Sequence, residues 1–372
     1  MNQITIRQFA CFCGFSLMFM KVLGLPSLMY EQNGNGGLIT ALILLLFDVL
    51  MIALAIALKK KFPTSSLYDL VAMGLGKVVA KIVFVFLAIV FFTNMSVLIN
   101  ETMTYMRDVV SEEITTAYVV FIFLPIVSCL VYNGLKNFAR TAEFAFTFVI
   151  IGFVLCLALG EGAVTFSGLG PFFENGAKGL FSSAFNLSFF FSDFLMIFLL
   201  IDKVQIEKKQ FRYVYFIVGL VALLLIVLYV AYFKLYTITA SFHKNAIADV
   251  TQYRRIVGNV GNLDIIVILF VFFSTYIQGA MLFYSITQCY NHVLGYENKK
   301  HSLITINSAI VLNEYLVFYN IQKITFFVVN YMKYASFVYA VAIPIYLCCV
   351  LVFAKGGKRV GSNKKPVSQS RA

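Results

Sequence analysis

The chain has 372 residues, of which 61% are hydrophobic and 12% charged, with a mean hydropathy of +0.88. Soluble domains of this size carry about twice that share of charge, so the composition excludes them and indicates a polytopic membrane protein. The net charge of +12 would suit a nucleic-acid binder if it formed a patch, but the basic residues are strung along the connections between apolar segments, which argues against that class.

A bilayer-spanning helix needs roughly 20 apolar residues. By that measure about ten helical spans follow one another, near 8–30, 37–58, 78–105, 116–133, 140–159, 177–201, 212–236, 264–291, 302–320 and 335–354. Span one follows a short stub bearing Arg7 and shows no small-residue cleavage site, so it is expected to stay as a span. It is interrupted by Lys21 and then Gly24-Leu25-Pro26-Ser27. The connection Glu31 to Gly37 has no Lys or Arg, whereas span two carries Asp48 and ends in Lys59-Lys60-Lys61. Between spans two and three, residues 62–70 offer a Ser/Thr cap opening a short amphipathic helix on the cytoplasmic face. Spans three and eight are long enough to tilt or to extend beyond the bilayer.

Lys136 and Arg140 follow span four, and Arg140 with Glu143 reads as a structural i,i+3 pair. Span six is interrupted by Asn186-Leu187-Ser188 and then Ser192-Asp193, and is followed by Lys203, Lys208, Lys209 and Arg212. Before span eight, residues 245–259 read as a surface or re-entrant helix, in a connection that also carries His243, Lys244, Arg254 and Arg255. His292 and His301 flank a basic loop with Lys299 and Lys300 and read as surface residues, while span nine carries Asn313 and Glu314. Residues 1–355 form one transmembrane domain with halves of about 1–160 and 161–355. The basic tail, 356–372, is expected to be disordered. Every even-numbered connection is basic, which places both termini in the cytoplasm. The seven cysteines fall in or at the ends of apolar spans without zinc or redox spacing. No catalytic triad, HExxH, Walker loop or GxGxxG is present, so neither an enzyme nor a cofactor is expected.

Five spans in each half make the halves inverted with respect to each other, and helix-breaking polar residues recur in the first span of both. Such breaks are tolerated in lipid only where the freed backbone faces protein, water or ligand, and paired breaks point to a binding site. Counting about 1.5 Å per residue, Lys21 lies roughly 20 Å from the cytoplasmic end of its span and Asp48 roughly 15 Å from the outer side, within reach of each other. Asp193 comes out about 24 Å inward, in the cytoplasmic third, and meets Lys21 only if unwinding shortens the gap. Asn186 and Ser188 fall at mid-depth, better placed for a ligand beside Gly24, and Glu314 near the midplane. Glu101, Arg107, Asp108 and Asp264 read as solvated residues near the outer surface. Lys21 has two readings: a structural ion pair with Asp48, or a cation that helps the half-helix after Gly24 to hold an anionic group. The candidate ligand-binding residues are Lys21, Gly24, Leu25, Pro26, Asn94, Asn186, Ser188 and Phe191, with Asp48, Asp193 and Glu314 as candidate coupling or gating groups.

From about Ile4 to Phe318 the chain resembles the B subunits of spore germinant receptors, the GerAB-type spore permease family. The resemblance is carried by Ile4-Thr5-Ile6-Arg7-Gln8-Phe9, Leu25-Pro26-Ser27-Leu28, Lys61-Phe62-Pro63, Leu75-Gly76-Lys77, Asn133-Gly134, Ala139-Arg140-x-Ala142-Glu143, Glu174-Asn175-Gly176, Leu187 to Asp193, and Leu282-Phe283-Tyr284 to Gly295. Where many members have Pro, Gly and Glu in the span-six break, this chain has Phe190, Ser192 and Asp193, which lessens the expectation of sharp unwinding. The resemblance implies an all-α, LeuT-like 5+5 inverted repeat with helices 1 and 6 broken, of the amino acid–polyamine–organocation superfamily. It further implies residence in the spore inner membrane, A and C receptor subunits as partners, and a small germinant such as an amino acid as ligand. A proton- or sodium-coupled amino acid transporter is the alternative, and a water or ion conduit a third reading.

Overall fold

The computed structural model describes residues 3–353 except 160–169, 174, 206–210, 244, 253–263, 296–297 and 317–320. The basic tail and the part of the expected surface helix beyond residue 252 lie outside the described residues. Those described are almost entirely helical, with no strand beyond one isolated parallel bridge between Ile4 and Val204.

Span one is α1 (Ile6–Met18), a 3-10 turn (Phe19–Lys21) and α2 (Leu25–Asn33). Pro26 sits in the first turn of α2, where its missing N–H costs nothing and its fixed φ suits a helix start. A 3-10 turn at Gly34–Gly36 leads into α3 (Gly37–Lys61), whose last turn carries Lys59, Lys60 and Lys61 against the negative helix end. The cap expected between spans two and three falls on Ser66, which forms a capping box with Asp69 at the start of α4 (Leu67–Val109). The short first segment of α4 ends at Gly76, whose φ of 84° kinks the chain before the long span.

The remaining helices are α5 (Thr116–Tyr132), α6 (Leu135–Leu159), α7 (Gly176–Leu187), α8 (Phe194–Leu200), α9 (Phe211–Tyr236), α10 (Ala246–Gln252), α11 (Asp264–Leu294), α12 (Lys299–Leu316), α13 (Ile321–Phe327) and α14 (Lys333–Phe353). A π-helical turn, Val328–Met332, joins the last two. Among the described residues, seven helical stretches are long and apolar enough to cross a bilayer, and α1 and α5, at 13 and 17 residues, are shorter apolar helices. The ninth span is α12, which starts Lys-Lys-His and carries Asn307, Asn313 and Glu314, and so falls short of the apolar seven.

The bundle is apolar on its outside as well as in its core, with a minority of polar groups buried among the helices. Leu46, Phe121, Phe144, Ile151, Phe216 and Leu312 are exposed on its flanks, as a lipid-facing surface requires. The innermost elements are α1, buried except for Arg7, and α8, buried along its whole length. α1 packs on α9 and α6, and α11 on α4 and α6. The approach of α1 to α6 depends on Gly14, where a Cβ would stand 2.4 Å from the Phe146 ring.

Candidate functional site

Span six divides as expected, but it tightens rather than unwinds. α7 ends at Leu187, Ser188–Phe191 form a 3-10 turn, and Asp193 opens α8 with right-handed φ and ψ of −60° and −26°. Without the Pro and Gly of related sequences, the backbone has little reason to leave the helical region. Its hydrogen bonds shorten to i→i+3, as in Ser192 N–H to Phe189 O at 3.1 Å and Leu195 N–H to Ser192 O at 3.0 Å.

The two breaks meet through Lys21, which is fully buried. Its Nζ lies 3.0 Å from Asp48 Oδ2 on α3 and 3.5 Å from Asp193 Oδ2 at the head of α8. The ammonium also donates to Ser16 O at 3.3 Å and stands 4.8 Å from the centre of the Phe191 ring. The contact with Asp193 departs from the depth count, which put this carboxylate too far away. That count treated each span as one continuous straight helix, whereas both are interrupted here, and Lys21 and Asp193 face each other where the interruptions meet.

One cation therefore serves two carboxylates away from water. Asp48 Oδ1 and Asp193 Oδ1 have no hydrogen-bond partner among the described residues. Around them stand Asn94 of α4, which donates to Ser192 Oγ at 3.4 Å, Gln278 of α11 beside Asp193, and Tyr229 of α9 within electrostatic reach of Asp48.

Beyond Lys21 the chain turns through Val22 and Leu23. Their carbonyls, freed by the break, accept from Ile247 N–H at 3.1 Å and Ala246 N–H at 3.2 Å, so that α10 caps the end of span one. Ser27 Oγ donates to Ser241 O at 3.0 Å, and Asn245 Nδ2 to Asp108 Oδ2 at 2.6 Å, closing the same segment over α2. On this segment burial holds the Asp249 carboxyl above its ordinary range, against the opposing pull of His243.

Under this cover lies a cavity of about 380 Å³, lined on one side by Leu23, Gly24, Ser27 and Glu31, and on the other by Glu101, Thr104, Asn245 and Gln322. Glu101 corrects the sequence reading. Arg107 and Asp108 are exposed as expected, but Glu101 is only 7% exposed and its Oε2 has no partner among the described residues. The segment that covers it comes from residues 241–249, far along the chain, and nothing near position 101 signals it.

A second cavity, of about 450 Å³, opens where α1 begins, between Gln3, Gly134, Asp202, Tyr284 and Gln288. The length of α1, about 20 Å, separates it from Gly24. On its side the spans are tied at their starts and ends, with Ile4 N–H donating to Lys203 O and Gln205 N–H to Ile4 O, both at 3.0 Å.

Of the other candidate residues, Leu25 and Pro26 are buried in the first turn of α2. Asn186 and Ser188 do not join the Gly24 cavity: Asn186 accepts from Lys333 Nζ at 3.0 Å, and Ser188 donates to Phe185 O at 2.8 Å. Glu314 is fully buried in a separate cluster, where its Oε2 accepts from Asn100 at 2.9 Å and neighbouring Asn313 donates to Ser96 Oγ at 2.7 Å. Arg140 and Glu143 form no ion pair within 4.0 Å; their order, Arg before Glu, is the weaker one on a helix. His292 is half-buried, stacked on Tyr68 at 4.9 Å rather than lying free on the surface. No group of three or more His, Cys, Asp or Glu suited to a metal ion occurs among the described residues.

Two interrupted helices joined at their breaks inside a helical bundle define a membrane protein of LeuT-like fold. The fold is shared with the solved structure of Mhp1, a nucleobase-cation-symport-1 family transporter in a closed conformation with bromovinylhydantoin bound. The TM-score is 0.58 at 12% identity, over 95% of this chain and 80% of that one. No curated protein matches the chain. The family model described as "Spore germination protein" (Spore_permease) matches residues 3–326, and the chain belongs to that family.

Proposed function

We propose that this chain is the ligand-sensing membrane subunit of a spore germinant receptor, and that a small germinant of the amino acid class binds in the cavity at Gly24. The observation that carries this reading is the direct contact between the two helix breaks through Lys21, immediately behind that cavity. A ligand in the cavity rests on Leu23 and Gly24, two and three residues from an ammonium that ties α1, α3 and α8 together. It thereby favours one arrangement of the breaks over another, as a ligand must if it is to shift a conformational equilibrium. In this reading Lys21 is the internal counter-ion of the switch, Asn94 and Phe191 complete its surroundings, and A and C subunits read its state. The basic connections orient both termini to the cytoplasm, and the spore inner membrane is the site of action.

The surplus of carboxylates around Lys21 supports a second reading, amino acid transport coupled to proton movement on Asp193, Asp48 or Glu314. Sealed liposomes containing the purified protein decide between the two. With labelled L-alanine and other amino acids offered under imposed proton or sodium gradients, saturable binding without gradient-driven accumulation is expected. Accumulation above equilibrium establishes a transporter instead.

A further inference from the structure

The Gly24 cavity has a pronounced charge character. Two of its lining residues are carboxylic acids, Glu31 at the exposed rim and Glu101 within, and among the described residues no Lys, Arg or His lines it. Glu101 is 7% exposed, and its Oε2 has no hydrogen-bond partner among the described residues. The charged group that bears on it is Asp193, another acid, rather than Lys21. Lys21 is itself held by Asp48 and Asp193 at 3.0 and 3.5 Å and does not line the cavity. A buried carboxylate without a cation is costly, and a ligand that supplies the cation recovers that cost on binding.

We infer that Glu101 is the ammonium-recognising residue of this cavity, and that the cavity selects ligands bearing a free protonated amine, favouring those with net positive charge over zwitterions of the same size. The inference rests on the proposal that a small amino acid-like ligand binds here, and adds the group that reads it. A volume of about 380 Å³ admits one small molecule. Its ammonium lies against Glu101, with Thr104 and Asn245 as neutral hydrogen-bonding neighbours. A ligand carboxylate finds the N-terminal end of α2, where Pro26 removes one N–H, and neutral donors such as Ser27 and Thr104, but no cation among the described lining residues. An uncompensated anion thus meets two carboxylates and is rejected, which makes ligand charge the main selectivity filter.

The test uses the purified full-length protein and four small probes, L-alanine, L-alaninamide, N-acetyl-L-alanine and propionate, with affinity read from ligand-induced thermal stabilisation. L-Alaninamide is expected to bind more tightly than L-alanine, and the two probes without an amine not to bind; an alaninamide that binds more weakly than L-alanine overturns the preference for net positive charge. Glu101→Gln, which keeps shape and removes charge, is expected to weaken both amines more than tenfold while leaving the ligand-free melting point unchanged or raised. Glu101→Asp should restore part of the affinity. Equal binding of N-acetyl-L-alanine and L-alanine, or unaltered amine affinity in Glu101→Gln, overturns the inference and leaves the wider reading standing. Failure of both amines to stabilise the wild-type protein overturns both.

Discussion

Lys21 holds the centre of the molecule because three elements depend on one ammonium. Removing one member of a buried ion pair typically costs about 3–5 kcal/mol, since the partner is left charged and unpaired, whereas removing both can be nearly neutral. Lys21→Met strands two carboxylates and is expected to lower stability by about that amount. The double variant Lys21→Met/Asp48→Asn should recover much of the loss, as thermal melting in detergent will register. A double variant no more stable than the single one would mean that Asp48 contributes little to the pairing. The sequence disclosed Lys21 and Asp48 because a charge within an apolar span stands out. It did not disclose Glu101, because a carboxylate two turns from Asp108 reads as the solvated end of a span until a distant segment folds over it.

Among the elements, α10 is short but strategically placed. Its first N–H groups satisfy the carbonyls of Val22 and Leu23 that the span-one break leaves open. Ala246→Pro removes one of those donors and is expected to loosen the 19–24 segment, raising its hydrogen-exchange rate well above that of α1 while the bundle stays intact. Gly76 offers a cleaner backbone test. Its φ of 84° with ψ of 162° lies in a region open essentially to glycine alone, and nothing lies within 4 Å of a Cβ built there, so Gly76→Ala should cost about 1–3 kcal/mol from backbone strain alone. The element map was largely legible: both breaks, the Ser66 cap and the span limits follow from Gly, Pro, Ser and apolar run length. The tightened form of the second break was less so, because nothing in Ser-Phe-Phe-Phe-Ser-Asp separates a 3-10 turn from an unwound segment.

For the whole molecule, the fold is that of a transporter and the family that of spore germination. The connection charges and paired breaks made the class and the inverted halves readable before any coordinates, while the joining of the site across four helices was not. α4 carries Asn94 and Glu101 two turns apart toward the Lys21 site and the Gly24 cavity, and Ser96 and Asn100 toward Glu314 on α12. It is a camshaft with two lobes: rolling it about its long axis lifts one set of side chains as it drops the other. The cavity and the Glu314 cluster then cannot be set independently. A double-mutant cycle between Glu101→Gln and Glu314→Gln, scored by amine affinity, should show a coupling of at least about 0.5 kcal/mol.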